Sequence, residues 1–392
     1  MRLLSRVADR LYWTGRYMER VEGIARLTQA YTHLVMDIPQ GSELGWDVLV
    51  KILDAEPLFE SRYKVYSEQN VLHFLIADEA NPGSIYQSVM AARSNVRTTR
   101  DVLPQEVWEQ VNELYLYTRE FAEKSVGRRN RHRFLDRIQA RCQAISGHNM
   151  STMCRDEAYR FMSLGHLLER ADMTTRIIDV GAGALMDSER HNVSMDPLIW
   201  GALLQGLSAM STYRRKIGPL PEAAPVVNFL FNEATLPRSL KFCLNGIRSE
   251  LGQLRKHTDA VRHVERARRR LARFDTKATN WETLHPFIDR IQLDLSNLSD
   301  CISESWFLPT ERQAHRGHPC RREAQHALSV RPPCQHCAAY SALAPGAPLP
   351  QQDLQLLPEG AAGKALHQLA AGSFRQFPGA RGVSGKIHRT SG

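Results

Sequence analysis

The hydrophobic positions of this chain recur at helical spacing from its first residues. Leu4, Val7, Leu11, Gly15, Met18, Glu22 and Ala25 step by three and four, the template of an amphipathic helix. Residues 84–102, 106–124, 134–145 and 282–306 read the same way. Pro82 beside Asn81 and Ser84, and Pro104 ahead of Glu106, supply start signals. Alternating patterns with hairpin turns are absent, so the expected fold class is all-α. After Pro309 the periodicity stops, and prolines at 319, 332, 333, 345, 348, 350, 358 and 378 come too often for a long helix. Residues 312–392 are expected to be a basic tail rich in Pro, Gly and Ala, either disordered or translated in a shifted frame.

The pattern also repeats. Gly15-Arg16-Tyr17-Met18-Glu19-Arg20-Val21-Glu22, closing at Arg26, returns as Gly165-His166-Leu167-Leu168-Glu169-Arg170-Ala171-Asp172, closing at Arg176. Trp46-Asp47-Val48-Leu49-Val50 has a counterpart in Trp200-Gly201-Ala202-Leu203-Leu204. Val71-Leu72-His73-Phe74-Leu75, followed by Pro82, Ser84, Arg93 and Ser94, matches Val226-Val227-Asn228-Phe229-Leu230, followed by Pro237, Ser239, Arg248 and Ser249. Blocks in the same order at an offset near 150 predict two homologous halves, about 1–125 and 150–311, packed as one bundle-like unit over residues 1–311. The period is that of a duplicated domain, far above the ~20–50 residues of a solenoid repeat.

Composition narrows the class. The net charge of +9 suggests nucleic acid until it is divided along the chain. Residues 312–392 hold ten Lys or Arg against three Asp or Glu, which leaves only +2 for the remainder. Arg266, Arg269, Arg270 and Arg273 share a helix face that could track phosphates; the blander reading is a solvated face beside Glu265 and Asp259. With no nucleic-acid module and no ~20-residue apolar run, neither nucleic acid nor membrane is expected as a partner. The N-terminus lacks the apolar core of a secretory signal, so the expected location is cytoplasmic. Cys142, Cys154, Cys243 and Cys301 then read as small buried hydrophobes. Cys334-Gln335-His336-Cys337 is a lone C-x-x-C without a second pair at zinc spacing.

Candidate chemistry concentrates in the repeated motif. On a helical projection Glu22 sits at the centre of the apolar stripe, with Arg26 and Glu19 flanking it and Arg16 and Arg20 facing outward; Asp172, Arg176 and Glu169 follow suit. A carboxylate amid apolar residues must be paired to be buried. One reading makes Glu22–Arg26 and Asp172–Arg176 ion pairs that dock the halves, with Gly15 and Gly165 permitting close approach. Another crosses the two helices about a pseudo-two-fold axis. Glu19, Glu22, Glu169 and Asp172 then become catalytic candidates lining a cleft, and Arg20, Arg26, Arg170 and Arg176 binding candidates. A third, a ferritin-like metal centre, has only His166 in H-x-x-E order to support it, and no metal or other cofactor is expected. Phosphate-binding loops, dinucleotide fingerprints and nucleophile elbows are missing, and Gly181-Ala182-Gly183 reads as a helix stop.

Residues 4–20 and the run from Arg155-Asp156-Glu157-Ala158-Tyr159-Arg160-Phe161 to Asp172 resemble the alpha-E family of bacterial proteins, named for a helical fold with a Glu-Arg motif. The resemblance covers roughly residues 1–311, with His166 where the family often has Arg. It implies an accessory or catalytic role in peptide ligation or modification, beside an ATP-grasp-like protein and a transglutaminase-like protease that would be its partners. The competing expectation is a non-enzymatic scaffold whose Glu-Arg pairs are structural.

Overall fold

The computed structural model describes residues 3–38, 45–186, 196–276 and 281–307. The tail expected from residue 312, with its C-x-x-C, lies outside them. The described residues are helical throughout, with no strand among them. Residues 5–152 supply α1 (Ser5–Asp37), α2 (Asp47–Ile52), α3 (Glu56–Glu60), α4 (Glu68–Ile76), α5 (Ile85–Arg97), α6 (Gln105–Phe121) and α7 (Arg128–Thr152). Residues 157–302 supply α8 (Glu157–Met186), α9 (Asp196–Gly206), α10 (Met210–Lys216), α11 (Ala223–Asn232), α12 (Leu240–Gly252), α13 (Thr258–Arg273) and α14 (Trp281–Ile302), which ends in a π turn over Ser303–Phe307.

Local chemistry sets several of these boundaries. Ser84 caps α5 by accepting a hydrogen bond from the Gln87 backbone nitrogen at 3.1 Å, and Ser239 caps α12 through Phe242 at 3.0 Å; each satisfies an amide with no partner inside its helix. Gly181-Ala182-Gly183 does not stop α8, which continues to Met186. A Cβ on Gly181 would press against the Leu203 side chain of α9, so this glycine serves close packing inside a helix rather than termination.

At the centre, α1 packs along α8. Their contacts climb both helices together, from the Leu3 amide on Glu157 to Gly23 against Met173, so the two run parallel. Leu11, Tyr12, Val21, Ile24, Leu164, Leu168, Ala171 and Ile178 fill the interface and its flanks and are almost wholly buried, each large side chain worth roughly 1.5–3 kcal/mol. Around this pair, α5 and α7 pack on α1 while α12 and α14 pack on α8. Of the shorter helices that follow each of the two, α9 lies on α1 and α2 on α8. Outermost are α6, against α5 and α7, and α13, against α12 and α14. Among the described residues no helix is long and apolar enough to cross a membrane. Cys142 and Cys243 are buried as expected, but Cys301 is only partly covered and Cys154 lies exposed in the α7–α8 link, where no core face exists to take it.

Candidate functional site

The repeated glycines set the geometry of the motif. A Cβ on Gly15 would collide with the Met162 carbonyl oxygen and stand 2.9 Å from the His166 nitrogen; one on Gly165 would collide with the Tyr12 carbonyl oxygen and stand 3.1 Å from the Arg16 nitrogen. Each glycine thus brings its own helix against the backbone of the other, reciprocally, and the turn that follows each carries the Glu-Arg dipeptide.

One turn on, the dipeptides exchange partners. Arg170 donates to both carboxylate oxygens of Glu19, at 3.1 and 2.8 Å, while Arg20 donates to Glu169 at 2.6 Å. The residue following each glycine joins in the same crossed sense: Arg16 Nε lies 2.6 Å from Glu169 and His166 Nε2 lies 3.0 Å from Glu19. Arg16 and Arg20 therefore do not face outward as the projection suggested. Their long side chains turn back across the interface, and only 13% and 23% of their surface is exposed.

Glu22–Arg26 and Asp172–Arg176 do form i,i+4 pairs, at 3.1 and 3.0 Å, and each has a longer contact beyond its helix, Arg176 with Asp54 at 3.5 Å and Glu22 with Arg238 at 3.5 Å. The shorter contacts between α1 and α8 are the Glu19 and Glu169 pairs. Glu19, Glu169 and Glu22 are all deeply buried, with side-chain exposures of 1%, 4% and 5%, against 22% for Asp172. Burial alone would raise the pKa of Glu169, but Arg20 and Arg16 outweigh it and hold it at about 2. At Glu19 burial is likewise outweighed, by Arg238, His166 and Arg170, and the pKa falls well below the ordinary value of 4.5. Both are permanent carboxylates near neutral pH, unsuited to donating a proton. The donor set is equally unsuited to a ferritin-like centre, because every one of these carboxylates already faces a guanidinium that would repel a cation.

Arg238 was not legible as a site residue. It lies in the turn just before the Ser239 cap of α12, is 7% exposed, donates to Glu19 and lies 3.5 Å from Glu22. A signal existed: in the matched blocks Pro82-Gly83-Ser84 and Pro237-Arg238-Ser239, arginine stands opposite glycine. Arg131, in the first turn of α7, is buried 2.8 Å from Glu68, and Arg128 takes the same carboxylate at 2.7 Å, so both arginines hold α4 to α7. A third group joins Asp179 of α8 to His285 of α14 at 2.8 Å, with Asp289 3.7 Å from the other ring nitrogen. The hydrogen bond to Asp179 raises the pKa of His285.

Residues 3–307 match a family model described as a predicted alpha-helical domain with a conserved ER motif. The chain belongs to the Alpha-E family. The crossed dipeptides Glu19-Arg20 and Glu169-Arg170 carry a Glu-Arg sequence at matching places in the repeated motif of this Alpha-E chain. Among curated proteins it is 26% identical over 270 residues to an uncharacterized protein of Mycobacterium bovis. Two uncharacterized proteins of Mycobacterium tuberculosis are 26% and 25% identical over the same length. Each alignment takes in 64% of this chain and 30% of the relative, so the matched segment is under a third of those proteins. No solved structure matches the chain significantly.

Proposed function

We propose that this protein is a helical docking component of a bacterial peptide-ligation or peptide-modification system. In this reading the ER motifs are the clasp that holds its halves together, and an ATP-grasp-like partner supplies the ATP chemistry, alongside a transglutaminase-like protease. The observation that carries the reading is the reciprocal pairing of Glu19 with Arg170 and Glu169 with Arg20. It engages the charged groups of both motifs in one another and leaves their carboxylates without a proton to give. The longer curated relatives support it further, since in them the homologous segment works within a larger protein. The partner classes come from the family resemblance.

The same reading takes the halves as products of a duplication, supported by the seven α-helices on either side of residue 155 among the described residues and by the reciprocal glycine contacts. The test is reconstitution with the co-encoded ATP-grasp-like protein, using Glu19→Gln and Glu169→Gln. Ligation activity should fall only as far as the folded fraction falls. A variant that stays folded and binds its partner, yet loses turnover, would return these residues to a catalytic role.

A further inference from the structure

The two outermost helices carry the same surface pattern in opposite charge. On α13 the buried face is Ala260, Val264, Ala267 and Leu271; on α6 it is Val107, Val111, Leu114 and Thr118. The spacing is identical, so the positions facing directly away from the core correspond as well. On α13 these are Arg262, Arg266, Arg269 and Arg273, and on α6 they are Glu109, Glu113, Leu116 and Glu120. All eight are exposed, and each row runs about 16 Å along its helix.

The basic row differs from the one read in the sequence. Arg270 leaves it to pair with buried Asp294 at 2.8 Å, and Arg262 takes its place. Arg262 is answered locally by Asp259 at 2.7 Å and Glu113 by Arg141 at 2.9 Å. Arg266, Arg269, Arg273 and Glu120 have no ionic partner among the described residues. A row of planar guanidinium groups suits carboxylates at matched spacing, and such a row of carboxylates lies on the other half of the same molecule.

We propose that the protein associates with a second copy of itself, the arginine row of α13 on one copy lying against the glutamate row of α6 on the other. Exposed ion pairs contribute little each and are screened by salt, so the association is weak, reversible and salt-sensitive. Charge complementarity here selects the partner and register more than it sets the affinity.

The test is sedimentation of the full chain under reducing conditions. Wild type should self-associate at about 50 mM salt and become monomeric at about 500 mM. A variant carrying Arg266→Glu, Arg269→Glu and Arg273→Glu has two acidic rows, and one carrying Glu109→Arg and Glu120→Arg has a far more basic α6. Each alone should associate at least about tenfold more weakly than wild type at low salt, while an equimolar mixture of the two should regain association. The exchanged residues are exposed, and helical circular dichroism should match wild type. A wild type that is monomeric at low salt overturns the proposal, as do reversed variants that associate like wild type or a mixture that stays apart. A monomeric wild type whose α13 row captures a single-stranded oligonucleotide would overturn it in favour of a nucleic-acid partner.

Discussion

The two ends of the clasp share a motif and differ in what closes them. Glu169 is held by Arg16 and Arg20, both from α1 and both partly reaching solvent. Glu19 is held by Arg170 and His166 from α8 and, in addition, by Arg238 from the turn before α12, which is almost wholly buried. The Glu19 carboxylate therefore takes cations from two segments and the Glu169 carboxylate from one. The difference traces to one position, glycine in the first half and arginine in the second. A buried carboxylate is tolerated at either end because its cations offset the loss of hydration, but how much depends on each carboxylate is unequal.

The largest effect should come from Glu19→Gln, which strands Arg170 and Arg238 in a dry site. A loss of about 3–5 kcal/mol in urea unfolding is expected, and a loss below about 1 kcal/mol would mean that Arg238 reaches water when released. Next come Gly15→Ala and Gly165→Ala. Each drives a methyl into backbone that cannot rotate away, costing about 3 kcal/mol. The two should be equal within experimental error, and a clear inequality would show that the crossing is not reciprocal in energy. Glu169→Gln should cost less, about 2 kcal/mol, because Arg16 and Arg20 can turn outward; a loss matching that of Glu19→Gln would erase the distinction between the ends.

Acid should reproduce the ranking. Both carboxylates have depressed pKa values in the folded protein, so their contribution is complete above about pH 4.5, the unfolded value, and is lost as pH falls through the folded values, about 2 for Glu169 and well below 4.5 for Glu19. Urea midpoints measured from pH 6 to pH 2.5 should fall less steeply in either Gln variant than in wild type, and least steeply in Glu19→Gln. Identical slopes in all three proteins would remove the clasp from the account of acid stability.

Helical periodicity made the class legible, and the spaced Gly and Glu-Arg residues marked the place where α1 meets α8. The ranking of carboxylates failed because a projection presumes one buried stripe. Helix α1 is enclosed on several sides: Thr14, Gly15, Met18, Glu19, Val21, Glu22 and Gly23 are all buried, so distance from a stripe centre no longer measures burial. Arginines misled for a related reason. The direction of a Cβ does not say where a guanidinium several bonds away will settle, as Arg16 and Arg20 both show. Gly181 was misread because termination and close packing both ask for a missing side chain, and only the position of Leu203 distinguishes them.

The clasp also sets an order of events during synthesis. Glu19 lies 151 residues before Arg170 and 219 before Arg238. At about 5–20 residues per second, α1 leaves the ribosome on the order of ten seconds before its cations exist. Throughout that interval its carboxylate has no counter-charge, and the apolar surface meant for α8 and α9 stays uncovered. The apolar face of α1 must be kept from aggregating until its partners are made, so the ion pair that fastens the finished protein also delays its completion until Arg238 has been synthesised.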